Sequence, residues 1–242
     1  TMETDYKEMY MANVEAPLDG ILLDAAKKGC KQFVFASSTA VYGNGFTPYK
    51  ENQSLEPLNA YAKSKVEFEK EFMIEMGQEY PNANIVGLRY CNVYGPGEDH
   101  KGRRASMVRR IIMSILEGRK PKLFFDGEQK RDLIYIDDVV EANLLAARYQ
   151  GRTIFNCGFG TARSFNDIVR TVQRNIGPTE RISDSQPEYF DNPNPETYQE
   201  FTECDMKKAR DELGFVPRFD LEAGIRAYLP YLREKYFSLH SA

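Results

Sequence analysis

The chain has 242 residues, 42% of them hydrophobic and 28% charged, with a formal net charge of −4. That length buries one substantial core or two modest ones, and the balance is that of an ordinary globular protein rather than a disordered or fibrous one. The negative charge excludes a dedicated nucleic-acid binder, which needs a basic surface to displace counterions. No apolar run approaches the roughly 20 residues that span a bilayer, and the opening Thr1-Met2-Glu3-Thr4-Asp5 has no signal-peptide character, so no membrane role and a cytoplasmic address are expected.

In chain order, the first expected element is a helix over 5–28, with Leu18, Ile21, Leu22 and Ala25 on one stripe, Gly29 as its stop, and a kink at Pro17 and Gly20. Gln32-Phe33-Val34-Phe35-Ala36 is apolar without alternation, which suits a strand buried on both faces of a parallel sheet. Ser37 and Ser38 then fall at its carboxyl end, where open α/β sheets place their ligands. A loop rich in Gly and Pro leads to a helix over 59–79. A strand over 85–89 exits into a loop over 90–97. A helix over 106–117 follows, then strands over 122–125 and 133–135, and a helix over 137–148 whose first residues, Asp137 and Asp138, suit the positive end of the helix dipole. A strand over 153–156, helices over 164–176, 205–213 and 221–235, and a Pro-rich loop over 186–197 complete the chain. Strand and helix alternate, which is the α/β class.

Cys30, Cys91, Cys157 and Cys204 are widely spaced and only His100 and His240 are present, so no metal site is expected and the cysteines read as reduced, packed thiols. Gly158-Phe159-Gly160 after a strand resembles a dinucleotide loop, but Arg163 replaces its third glycine and no acidic ribose partner follows.

The chemistry concentrates at Tyr61-Ala62-Lys63-Ser64-Lys65. Positions four apart share a helix face, so Tyr61 and Lys65 present a phenol beside an ammonium, and an adjacent cation favours the phenolate and an acid/base role. Spacing alone is weak, because Tyr231 and Lys235 repeat it on an amphipathic stretch that reads as ordinary helix surface. Ser38 upstream supplies the context. The basic cluster Lys101, Arg103, Arg104, Arg109 and Arg110 is local and suits an anionic small molecule.

Ser38, Tyr61-x-x-x-Lys65, Asn92-Val93-Tyr94-Gly95-Pro96 and Arg131-Asp132-Leu133-Ile134-Tyr135-Ile136-Asp137-Asp138-Val139 together resemble the extended short-chain dehydrogenase/reductase family, which includes the nucleotide-sugar epimerases and dehydratases. The resemblance implies a Rossmann-like doubly wound parallel sheet and a smaller C-terminal substrate-binding domain. The division expected is 1–95 with 130–157 as the remnant of the NAD(P)-binding domain, and 96–129 with 158–242 for the substrate. The family's Gly-x-x-Gly-x-x-Gly loop is not in these residues, so the expectation is a fragment, with roughly 80 residues and the first sheet strands preceding Thr1. Without them the cofactor should not be held normally.

Thr39 and Ala40 stand where the family's dehydratases carry an Asp-Glu pair, which disfavours dehydration. The loop Gly97-Glu98-Asp99-His100-Lys101-Gly102, with Pro121-Lys122-Leu123-Phe124, Gln129-Lys130-Arg131-Asp132 and Tyr198, is similar to the heptose 6-epimerase branch acting on ADP-glycero-manno-heptose. That similarity implies Tyr61 and Lys101 as the two acid/base groups and Ser38 as the polariser of the reacting oxygen. It implies Lys65, Asn13, Val93 and Lys101 at the cofactor, which is NADP or NAD. Ser38, Asn92, Arg103, Arg110, Arg131 and Tyr198 are implied at the sugar nucleotide, and a homo-oligomer is expected. A UDP-hexose 4-epimerase would use Ser38, Tyr61 and Lys65 without Lys101. A non-catalytic dinucleotide-sensing scaffold would need none of these proton-transfer groups.

Overall fold

The computed structural model describes residues 6–176, 186–192 and 198–240. Three parallel strands form its central sheet: β1 (Gln32–Ser38), β2 (Asn84–Tyr90) and β6 (Arg152–Cys157), in the order β1-β2-β6. The register pairs Ser38 with Tyr90, and Tyr90 with Cys157, so the strands end together on one carboxyl edge. Two smaller sheets extend it. One joins β3 (Asn92–Tyr94), β5 (Lys130–Tyr135) and β7 (Ala162–Ser164); the other pairs β4 (Lys122–Phe124) with β8 (Glu188–Phe190).

Several expectations are corrected. The segment 90–97 is not all loop, since Asn92–Tyr94 pairs in parallel with Leu133, Ile134 and Tyr135. Nor is 186–192, where Glu188–Phe190 lies parallel to Lys122–Phe124; the rest of the Pro-rich loop, 193–197, lies outside the described residues. The aromatic, β-prone Tyr189 and Phe190 carry the strand. The first helix spans 6–27, and around Pro17 and Gly20 it widens into a π coil over Met11–Leu22. Pro17 has no N–H to give, and the wider coil carries the chain past the lost bond. Among the described residues no helix is long and apolar enough to cross a membrane.

The Ala60–Glu79 helix begins where Asn59 Oδ1 accepts the Ala62 N–H at 2.9 Å. Its inner face locks onto β1 through Phe68 and Phe72, edge-on to Phe35 with ring centroids 5.2 and 5.4 Å away. Each buried phenylalanine contributes about 1.5–3 kcal/mol, which fixes the helix against the strand that ends in Ser38. A separate core unites the helices Met107–Leu116, Phe165–Ile176 and Leu221–His240 with β4 and β5.

Candidate active site

Ser38 closes β1, and its hydroxyl accepts the Ala40 N–H at 3.2 Å, starting the short turn Thr39–Tyr42. Tyr61 stands in the first turn of the Ala60–Glu79 helix, with its phenol near enough to the Ser38 hydroxyl for that neighbour to act on its ionisation. One turn on, Lys65 Nζ lies 5.8 Å from the Tyr61 ring centroid and donates to the Ala36 carbonyl at 3.1 Å. Strand and helix thus bring Ser38, Tyr61 and Lys65 into one cluster. Asn13, from the π coil, donates to Ser64 Oγ at 3.0 Å, and Ser64 donates to the Tyr61 carbonyl at 2.9 Å, tying the first helix to this turn.

The electrostatics differ from the expected phenolate. Burial pushes the Tyr61 phenol above its ordinary 10.0, and the Ser38 hydroxyl opposes this only in part. Burial also lowers the Lys65 ammonium, with Glu69 one turn further on pulling it back up. Desolvation therefore outweighs the neighbouring cation.

Glu69 was not singled out from the sequence, although its spacing from Lys65 could have marked it. Its buried carboxylate receives Arg89 Nε at 2.9 Å and Nη2 at 2.6 Å, and also the Ser37 hydroxyl. Arg89 continues to Tyr42 Oη at 2.9 Å, and Tyr42 to Asn156 Oδ1 at 2.7 Å. This network anchors the residue beside Ser38 and the helix bearing Tyr61 to one buried charge pair.

A second group surrounds Arg131. The residue is 8% exposed, and its guanidinium lies over the rings of Tyr198 at 4.7 Å and Phe165 at 5.7 Å. Its hydrogen bond goes to the neighbouring Lys130 carbonyl, and among the described residues no carboxylate pairs with it. Burial lowers its pKa. A buried fork with donors to spare fits a diphosphate. Asn92 hydrogen-bonds the Asp132 carbonyl at 3.3 Å, and Val93 is half-buried on β3. Arg103 and Arg110 are exposed, the latter reaching only Met107 Sδ at 3.4 Å. Lys101 is exposed on the Asp99–Arg104 turn, and no contact among the described residues joins it to Ser38 or Tyr61.

The Gly158-x-Gly160 loop cradles an internal anion. Asp132 accepts the N–H groups of Phe159 at 2.8 Å, Gly160 at 3.0 Å and Cys204 at 3.1 Å. Those donors are committed, and a Cβ on Gly158 would lie 2.7 Å from Asp132 Oδ2. Cys91 and Cys204 flank the same carboxylate, but burial raises both thiols and the three backbone donors already use Asp132, so the trio reads as a packed polar knot rather than a metal centre. Cys91, Cys157 and Cys204 are buried free thiols as expected, whereas Cys30 is exposed.

A parallel α/β sheet with a serine at its carboxyl edge, and a tyrosine and lysine on the adjoining helix, is the arrangement expected of a short-chain dehydrogenase/reductase type of enzyme. Residues 2–158 match the NAD dependent epimerase/dehydratase family, and the chain belongs to that family. It is 36% identical over 239 residues to an ADP-L-glycero-D-manno-heptose-6-epimerase of Brachyspira hyodysenteriae, a match covering 97% of this chain and 73% of the relative. Among solved structures, the Helicobacter pylori ADP-L-glycero-D-manno-heptose-6-epimerase is 32% identical with a TM-score of 0.83, covering 96% of this chain and 69% of that one. The Thermotoga maritima UDP-glucose 4-epimerase with UDP-glucose is 29% identical with a TM-score of 0.86, covering 96% and 72%.

Proposed function

We propose that this protein is a nucleotide-sugar epimerase that interconverts ADP-D-glycero-D-manno-heptose and ADP-L-glycero-D-manno-heptose by oxidation and re-reduction at C6. The observation that carries the reading is the contact of Ser38 with Tyr61, one helical turn from Lys65, at the carboxyl edge of the parallel sheet. Tyr61 exchanges a proton with the substrate hydroxyl while Ser38 donates a hydrogen bond to the same oxygen. Inversion needs proton handling in two orientations, and Lys101 serves the second. Lys65, Asn13 and Val93 hold the dinucleotide, NADP in this reading, which when bound accepts and returns a hydride. The spare donors of Arg131 and the Tyr198 ring above it hold the sugar nucleotide, with Asn92, Arg103 and Arg110 lining its path. In this reading 1–95 with 130–157 is the cofactor-binding part and 96–129 with 158–242 the substrate-binding part, with Tyr94, Leu133 and Tyr135 packing across the boundary in one core and Cys204, Met206 and Phe215 packing with the central sheet in another.

The test is conversion of each purified ADP-heptose epimer by the full-length protein, monitored by NMR at C6. Lys101→Ala should lower kcat by about 10²–10⁴-fold, the usual contribution of a general acid or base. Full retention of activity would overturn the two-base mechanism. The likeness to the UDP-glucose 4-epimerase supports a second reading, UDP-hexose 4-epimerisation. Turnover of UDP-glucose but not ADP-heptose, unaffected by Lys101→Ala, would select it.

A further inference from the structure

The turn that bears Lys101 is held by a set of contacts that neither the family motifs nor the acid/base scheme accounts for. Glu98, only 4% exposed, is its hub. Its Oε1 accepts the Gly95 N–H at 3.2 Å, the Ser106 hydroxyl at 2.8 Å and the Tyr228 hydroxyl at 3.4 Å, while its Oε2 accepts the Ser106 N–H at 2.6 Å. One buried carboxylate therefore joins the residue entering the loop, the residue leaving it and the C-terminal helix. The Glu98 carbonyl also accepts the Lys101 N–H at 3.0 Å, so the same residue fixes the start of the turn that carries the lysine.

The neighbouring Asp99 is gripped from the same helix. Tyr231 Oη donates to Asp99 Oδ2. Lys235 Nζ lies 3.9 Å from Asp99 Oδ2, and Arg109 Nη2 lies 2.9 Å from its Oδ1. The second Tyr-x-x-x-Lys of the sequence lies on the helix surface, as its amphipathic stretch predicts, and it has a partner there. Both of its members reach the Lys101 loop. Within that loop Gly102 has φ of +51°, a conformation costly for other residues, which sharpens the turn directly after Lys101.

We infer that Glu98, with Tyr231 and Lys235 of the C-terminal helix, is a positioning device that sets the height and direction of Lys101 over the substrate. The inference rests on the reading of Lys101 as the second acid/base group. Lys101 itself is exposed and makes no side-chain hydrogen bond among the described residues, so its placement is dictated by the backbone that carries it. The loop ends are fixed by about five hydrogen bonds within the range of ordinary strength, and the lysine between them is left free to reach a ligand.

The experiment is a double-mutant cycle in the full-length protein, with epimerisation read under single-turnover conditions. Glu98→Ala should lower kcat by about a hundredfold, the penalty for misplacing a reacting group by about an ångström, while leaving KM within a few-fold of the parent. Tyr231→Phe keeps the ring packing and removes only the exposed hydroxyl, so it tests the same device where Glu98→Ala fails to fold; a several-fold loss in kcat is expected. Both variants should speed hydrogen exchange of amides 97–105. In a Lys101→Ala background neither should lower activity further. Equal losses with and without Lys101 would overturn the positioning role while leaving the catalytic role of Lys101 intact. Undiminished activity of Lys101→Ala alone would instead remove the reading on which the inference rests.

Discussion

Tyr61 shows how competing effects are decided at a single residue. A cation one turn away favours the phenolate, but the ammonium sits beside the ring, 5.8 Å from its centroid, and gives a hydrogen bond to the Ala36 carbonyl rather than to the phenol. Burial, which penalises the charged form, then governs, and the phenol is raised above 10.0. The expected outcome is that the ultraviolet difference titration between the parent protein and Tyr61→Phe, without added dinucleotide, yields a phenolate transition above pH 10.0. A transition near neutrality would mean that the cation dominates. Ser38, Tyr61 and Lys65 were legible in the sequence because each follows from local rules: a strand end, a helix start and an i, i+4 face. Arg131 over Tyr198 depends on long-range packing, and the commitment of the glycine loop to Asp132 depends on the antiparallel register of β5 with β7, neither of which local spacing encodes. The contacts of Tyr231 and Lys235 with Asp99 escape the sequence for the same reason, since that partner lies in a distant loop.

Among the elements, β1 and the Ala60–Glu79 helix define the site only if they keep a fixed mutual register. The aromatic contacts of Phe35 with Phe68 and Phe72 supply attraction but little directional precision. The Arg89–Glu69 pair supplies direction, because its two short hydrogen bonds and the Ser37 contact join β1, β2 and the helix at one point. Both side chains are 4% exposed, so removing one partner strands the other charge away from water. Glu69→Gln should therefore cost about 3–5 kcal/mol, measured as a fall in the urea midpoint with an unchanged slope. Replacing both members with apolar residues of similar volume should cost much less, because desolvation of the two ions then disappears from the balance. A single variant within about 1 kcal/mol of the parent, inside the range of an exposed pair, would show that the register is held by packing alone. Strand and helix identities were readable from apolar runs and spacing, but this cross-link was not, since Arg89 lay inside what read simply as a strand.

Over the whole molecule, the C-terminal helix Leu221–His240 connects the sheet edge to the Lys101 loop, and at Gly224 it meets the Tyr94 side chain of β3. A Cβ there would fall 1.9 Å from Tyr94 Oη. Tyr94 is 1% exposed and packs edge-on to Tyr135 at 5.5 Å, so it has little room to retreat. Two terms oppose each other in Gly224→Ala: alanine gains about 1 kcal/mol in helix propensity, and overpacking costs about 1–3 kcal/mol. The clash is with a well-packed ring rather than the end of a flexible chain, so the loss should win and the thermal midpoint should fall. The same hydroxyl offers an internal control. Tyr94 Oη is buried and has no hydrogen-bond partner among the described residues, so Tyr94→Phe removes an unsatisfied polar atom and should be neutral or stabilising by about 1 kcal/mol. Combined with Gly224→Ala it removes the nearer of two clashing atoms and leaves the ring Cζ 2.7 Å from the added Cβ, so the double variant should recover part of the lost stability, a coupling that thermal unfolding of the four proteins measures directly. Additive effects would place the cost of Gly224→Ala elsewhere in the helix, whereas recovery would show that Tyr94 sets how closely this helix, and through it the Lys101 loop, approaches the sheet.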